Sequence, residues 1–144
     1  MSVETERTYL GIDYGSRRIG VAKSDPTGLI ASALTTLEVR SWRQAIGRLR
    51  ELIAEYAPRG VVVGYPLHAS GEPSAKCEEV EHFIGKLSEV YDGPVYRMDE
   101  RYSSEEAQQV IHAHGKKAGR DKKRIDRLAA VIILQRFLDE RRQS

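Results

Sequence analysis

The sequence predicts an α/β fold: a mixed central sheet flanked by helices, with elements in the order βββαβαβαα. Three observations predict it. The opening stretch holds three short runs rich in apolar and β-branched residues, separated by turn residues. From Ser41 onward, apolar positions recur every three or four residues over stretches long enough for helices. Two brief apolar runs, "GVVVGYP" and "PVYRMDE", interrupt those stretches, and helices arriving between strands favour parallel crossovers added to an antiparallel opening. Strand order is not readable from these periods.

Each element follows from its residues. "YLGIDYG" and "RIGVAKS" read as a hairpin turning through Gly15 to Arg17, and "LIASALTTLEV" as a third strand. In "SWRQAIGRLRELIAEYAPRG" the positions Trp42, Ala45, Ile46, Leu49, Leu52, Ile53 and Tyr56 form one helical face. Ser41 and Gln44 suit a capping box, and Pro58 and Gly60 a stop. "HASGEPSAK" is an open polar loop, followed by a helix with Val80, Phe83, Ile84 and Leu87 inward. Gly93 and Pro94 turn the chain into the strand "PVYRMDE". "SSEEAQQVIHAHG" reads as a short helix with Ser103 and Glu106 as its box, "KKAGRDKK" as a charged linker, and "RIDRLAAVIILQRFLDERR" as the last helix.

At 144 residues and 40% hydrophobic content the chain has the size of one ordinary domain, so residues 1–144 are expected to form one unit, with 1–7 a loose arm. Twenty-three basic and 21 acidic residues leave a formal charge of +2, which permits a polyanionic partner without requiring one. A single cysteine, Cys77, excludes an internal disulfide framework and a cysteine-rich zinc site, and it fits a reducing compartment. No leader-like or membrane-spanning run is present, so a cytoplasmic location and no membrane partner are expected.

Three acids stand out by position. Asp13 alternates with Gly11 and Gly15 on one side of the first strand, opposite Ile12 and Tyr14, where glycines keep other side chains away. A buried lone carboxylate is costly, so it must sit near a strand end, be hydrogen-bonded or hold a cation. Asp99 and Glu100 close the strand "PVYRMDE", at the carboxyl edge where open α/β sheets place their sites. Asp126 lies one turn into the last helix, at the edge of a face made by Ile125, Leu128, Ala129, Ile132, Ile133 and Phe137. Each has an ordinary explanation by itself, as a turn bond or as a charge suited to a helix start. Meeting together, they would repel unless a divalent cation compensated them, and oxygen-only ligation points to Mg²⁺ or Mn²⁺.

The blocks "LGIDYGSRRIGVAKSD", "VVVGYP", "DERYSSEEA" and "IDRLAAVIILQRFLDE" resemble, in order and spacing, the YqgF family of bacterial proteins described as pre-16S rRNA nucleases and Holliday junction resolvases. The resemblance covers nearly the whole chain and implies a ribonuclease H-like fold. It implies that Asp13, Glu100 and Asp126 are catalytic and bind metal, with Mg²⁺ or Mn²⁺, two ions, as the cofactor. Asp13 is then the bridging ligand, and hydrolysis leaves 3′-hydroxyl and 5′-phosphate ends. The loop "LHASG" departs from a Leu-Asn-Met-Asp-Gly-like pattern, keeping Leu67 and Gly71. Tyr102 and Ser103 replace a Leu-Thr pair, and Arg127 stands where a small or neutral residue is usual; none of these removes a proposed ligand.

From Gly115 to Arg127 the chain carries seven basic residues against Asp121 and Asp126, immediately before the last proposed ligand. Lys122, Lys123 and Arg124 of that run, together with Arg17 and Arg101, are the expected phosphate contacts. Lys116, Lys117 and Arg120 extend the run. His112 and His114, two apart on a helix, make a poor metal pair, and His68 reads first as ordinary loop polarity, with a substrate contact as the minor reading. Cys77 has no paired base in reach, and Trp42 reads as core by spacing.

The function that the resemblance implies is a metal-dependent endonuclease in 5′-end maturation of pre-16S rRNA, with precursor rRNA or a pre-ribosomal particle as the expected partner. A Holliday junction resolvase uses the same chemistry as a symmetric homodimer. A noncatalytic nucleic-acid, transcription or ribosome factor keeps the fold without turnover. An actin-like phosphotransferase shares "GIDYGSRRIGVA", but the chain shows no second copy of the phosphate-binding unit and no G-x-x-x-x-G-K-[ST] loop.

Overall fold

A computed structural model describes residues 8–101, 107, 109 and 122–143. Five strands make one sheet: β1 (Tyr9–Asp13), β2 (Arg18–Ser24), β3 (Ala31–Glu38), β4 (Gly60–Tyr65) and β5 (Val95–Asp99). Helix α1 (Trp42–Tyr56) joins β3 to β4, α2 (Lys76–Leu87) joins β4 to β5, and α3 (Lys122–Gln143) closes the chain. The strand order is β3-β2-β1-β4-β5, so the central strand is the first one made. β1–β2 and β2–β3 pair antiparallel, whereas β1–β4 and β4–β5 pair parallel. The sheet is mixed, as the pattern predicts.

Strand alternation sorts the two faces. Leu10 and Ile12, Ile19 and Val21, and Val61 and Val63 face α1 and α2, packing with Leu49, Phe83 and Leu87. Tyr9, Ala22 and Val62 face α3, meeting Ala130, Ile133, Leu134 and Phe137. Coverage on both faces explains why β4 reads as a continuous valine run: Val61, Val62 and Val63 are fully buried.

Helix ends follow their caps. Ser41 Oγ accepts the Gln44 N–H at 3.2 Å, while Gln44 Oε1 accepts the Arg40 N–H at 2.7 Å, one residue before the expected return bond. Ala57 ends α1 in the left-handed region at φ 42°, where Pro58 prevents continuation.

Two expectations are corrected. Trp42 is not core: it is 37% exposed at the first position of α1, with Lys86 and Arg43 over its ring and His82 at its edge. Helical spacing identified its face, but the ring overhangs the α1–α2 seam, where cations and water both reach it. Lys122 and Lys123 belong to α3 and not to a linker. Lysine is a good helix former, and Thr36 Oγ1 donates to the Lys123 carbonyl at 2.6 Å while Glu38 holds its ammonium at 2.7 Å. The expected helix over 103–115 lies outside the described residues except for Ala107 and Gln109, both helical. Tyr102, His112, His114, Lys116, Lys117 and Arg120 also lie outside them.

Candidate active site

Asp13 ends β1 on the face that α3 covers, in step with Tyr9 and Gly11. Two glycines flank it. On one side the β1–β2 register pairs Asp13 with Gly20. On the other, one residue beyond the Ile12–Val63 pair, lies Gly64 of β4. Both glycines are covered by backbone or side chain that a methyl group would displace. A Cβ on Gly20 would stand 2.0 Å from the Asp126 carbonyl oxygen, and one on Gly64 would stand 2.9 Å from Glu100 Oε2. Asp126 thus lies over one neighbour of Asp13 and Glu100 over the other, which is how residues from β1, α3 and the end of β5 come together. Glu100 is held there by its N–H, which donates to the Tyr65 carbonyl at 3.1 Å and extends the β4–β5 ladder by one step.

The three acids line one cleft of about 560 Å³. Burial at its floor pushes the Asp13 carboxyl well above the ordinary aspartate range. The charge of Glu100, a hydrogen bond to it and the charge of Asp126 act in the same direction, and Lys76 opposes them. Glu100 is also raised by burial, against the Asp13 hydrogen bond and the Lys76 charge. Two carboxyls joined by a hydrogen bond need one proton between them, so the pair titrates as a unit above the ordinary carboxylate range. Asp126 is engaged differently: Arg18 Nε donates to its Oδ2 at 2.7 Å.

An all-oxygen carboxyl pair holding a proton suits a hard divalent cation in the proton's place. Among the described residues no set of three His, Cys, Asp or Glu side chains is close enough to hold one ion. The residues present fit a cation at the Asp13–Glu100 pair, with Asp126 alongside and paired to Arg18.

The cationic residues divide. Arg17 is exposed at the mouth of the cleft. Arg101 also lines it, but its Nη2 lies 2.6 Å from Asp99 Oδ2 and its Nη1 donates to the Ala69 carbonyl at 3.1 Å, tying the 66–74 loop to the sheet end. Burial raises the Asp99 pKa, and the Arg101 hydrogen bonds outweigh it, leaving that carboxyl lowered. Lys122, Lys123 and Arg124 lie exposed in the first turn of α3 and do not line the cleft. Arg127 donates from Nη1 to Thr36 Oγ1 at 3.3 Å, toward β3. His68 does not line the cleft, and Cys77 is buried with its thiol toward the Pro66 carbonyl.

Two cleft residues escape the sequence reading. Arg18 shares the face of Gly20 by strand alternation, a signal present in "RIGVAKS" and not used there. Lys76, the first residue of α2, looks like any surface lysine, and only the crossover of α2 brings its charge toward Asp13 and Glu100. Replacing it tests that placement. In Lys76→Met protein with EDTA, the Asp13 and Glu100 carboxyl resonances are expected to titrate at higher pH than in the parent, because a charge that favours their ionised forms is gone. An unmoved titration would place the ammonium outside the cleft.

A family model described as "RuvX: Holliday junction resolvase" matches residues 7–140. The chain belongs to the RuvX/YqgF family. Its RuvX relatives include a "Putative pre-16S rRNA nuclease" of Syntrophus aciditrophicus, 41% identical over 130 residues, which span 90% of this chain and 87% of that one. Another of the same description, from Chloroflexus aggregans, is 43% identical over 137 residues, 95% of this chain and 96% of that one. Among solved structures, T. thermophilus RuvC in complex with Holliday junction substrate superposes with a TM-score of 0.64 over 96% of this chain and 97% of that chain, at 18% identity. This chain therefore has the ribonuclease H-like fold, and its family is one of nucleases.

Proposed function

We propose that this protein is a divalent-metal-dependent endonuclease acting in the cytoplasm on the 5′ end of pre-16S rRNA. The observation that carries the reading is the convergence of Asp13, Glu100 and Asp126 on one open cleft whose walls also hold Arg17, Arg18 and Lys76. The names of the curated relatives favour precursor 16S rRNA as the substrate.

Asp13 and Glu100 would hold the metal, Mg²⁺ or Mn²⁺, and Asp126, alongside them and paired to Arg18, would complete a site for two ions. Bound there, the metal supplies an activated water and charge stabilisation for in-line phosphodiester hydrolysis. The chain's own groups do the positioning. Lys76 meets the non-bridging oxygens of the scissile phosphate, Arg17 meets the phosphate next to it, and Arg18 keeps Asp126 oriented. Arg101 holds the 66–74 loop over the substrate, and Lys122, Lys123 and Arg124 engage phosphates beyond the cleft. Water's oxygen bonds to phosphorus as the bond to the 3′-oxygen breaks, leaving a 3′-hydroxyl and a 5′-phosphate.

The family's own description favours a second reading, a Holliday junction resolvase working as a homodimer with one site for each strand. One experiment separates the two. Parent and Asp13→Asn proteins are incubated with a precursor 16S rRNA 5′ fragment and with a four-way DNA junction, in Mg²⁺, Mn²⁺ or EDTA. Metal- and Asp13-dependent cleavage of the RNA alone is expected. Paired symmetric junction cuts move the reading to resolvase, and a folded protein that binds but cleaves neither is a noncatalytic factor.

A further inference from the structure

A second depression, of about 740 Å³, adjoins the active cleft and shares two residues with it: Arg17 and Arg18 line both, and Glu38, Val39, Arg40 and Gln44 complete it. Its base is rigid. Val39 is buried and its N–H donates to the Arg17 carbonyl at 2.9 Å, clamping the start of β2 to the end of β3. Arg40 is fixed by the α1 cap through its N–H bond to Gln44 Oε1.

The charges of this depression are unevenly committed. Glu38, the one acid, is held by Lys123 at 2.7 Å, and that hydrogen bond and charge draw its carboxyl below the ordinary glutamate range. Arg18 is committed to Asp126. Arg17 and Arg40 are exposed, and their guanidinium groups have no hydrogen-bond or ion-pair partner among the described residues. Two uncompensated guanidinium groups along a groove that opens from a phosphodiester cleft match a strand carrying one negative charge per nucleotide.

Resting on the nuclease reading above, we infer that this depression is a phosphate-binding subsite. The strand flanking the scissile bond leaves the cleft through it, with Arg17 and Arg40 as its backbone contacts. The ligand is the phosphodiester chain itself, read by charge and not by base, so RNA and DNA of one sequence engage it alike.

The test uses the full-length Asp13→Asn protein in EDTA, so that binding is read without cleavage. The affinity of labelled single-stranded RNA and DNA of about a dozen nucleotides is followed between about 50 and 200 mM salt. Arg40→Ala is expected to reduce the slope of log affinity against log salt by about 0.7, and Arg17→Ala with Arg40→Ala together by about 1.4. Arg40→Lys keeps the slope, and Arg50→Ala, an exposed change elsewhere on α1, leaves it unchanged. An Arg40→Ala protein that melts like the parent and keeps the parent slope overturns the subsite while leaving the nuclease reading intact. A parent protein that binds neither strand, in EDTA or with Mg²⁺ restored, overturns both.

Discussion

Asp13→Asn is expected to cut cleavage by about a thousandfold while making the metal-free protein more stable at neutral pH. The two effects share one cause. Asp13 lies at the cleft floor beside Glu100, and burial and that neighbour hold its carboxyl well above the aspartate reference of 3.8. The native state therefore binds a proton that the unfolded chain releases, so stability falls as pH rises from about 4 through the raised native value. An asparagine has the same shape and donates to Glu100 without a proton, so this pH-dependent loss disappears. A gain of about 1 kcal/mol corresponds to a Tm higher by roughly 2–4 °C. Calorimetry in EDTA across that pH range checks it: a variant less stable than the parent at pH 7 removes the electrostatic account, and undiminished metal-dependent cleavage removes Asp13 from the site.

Much of this arrangement is legible in the sequence, because strand alternation is a strong local rule. It puts Asp13 with Gly11 on one face, and it carries Arg18, two residues before Gly20, onto the same side of the sheet. Helical spacing places the inward residues of α2 and the face of α3 that packs on the sheet. What alternation does not contain is adjacency. β4 pairs with β1 across an intervening helix and two strands, so nothing local says that Gly64 lies beside Asp13 or that Glu100 comes to rest over it.

Burial depth is hidden for a similar reason. Spacing tells which face of α1 Trp42 occupies, but not that the packed layer ends short of it. The first turn of α3 looks like a solvated charge run because lysines carry no pattern, and its order comes from Thr36 and Glu38, more than eighty residues earlier in the chain. The family resemblance supplies the three acids together, and the register supplies the reason they meet.

That reason makes a residue without a side chain a sensitive position in the site. Gly20→Ala is expected to lower Tm by roughly 5–10 °C and to lose most cleavage, although it alters no charge. The added Cβ would stand 2.0 Å from the Asp126 carbonyl oxygen, 2.4 Å from its carbon and 3.1 Å from the Arg127 nitrogen. All three are backbone atoms, so no rotamer change relieves the contact: α3 must lift from β2, taking Asp126 away from Asp13. Gly64→Ala is a milder case, since its Cβ would meet the ends of Ile133 and Glu100 side chains, which turn aside. It is expected to reduce cleavage more than stability. Gly47→Ala sets the opposite sign, because nothing lies within 4 Å of its Cβ in the middle of α1, and alanine there is worth about 1 kcal/mol in helix propensity. If thermal melts rank the three variants in that order while cleavage falls in both Gly20→Ala and Gly64→Ala, the glycines flanking Asp13 are what seat the acids. A Gly20→Ala protein as stable and active as the parent would mean that α3 does not rest on β2 at Asp126.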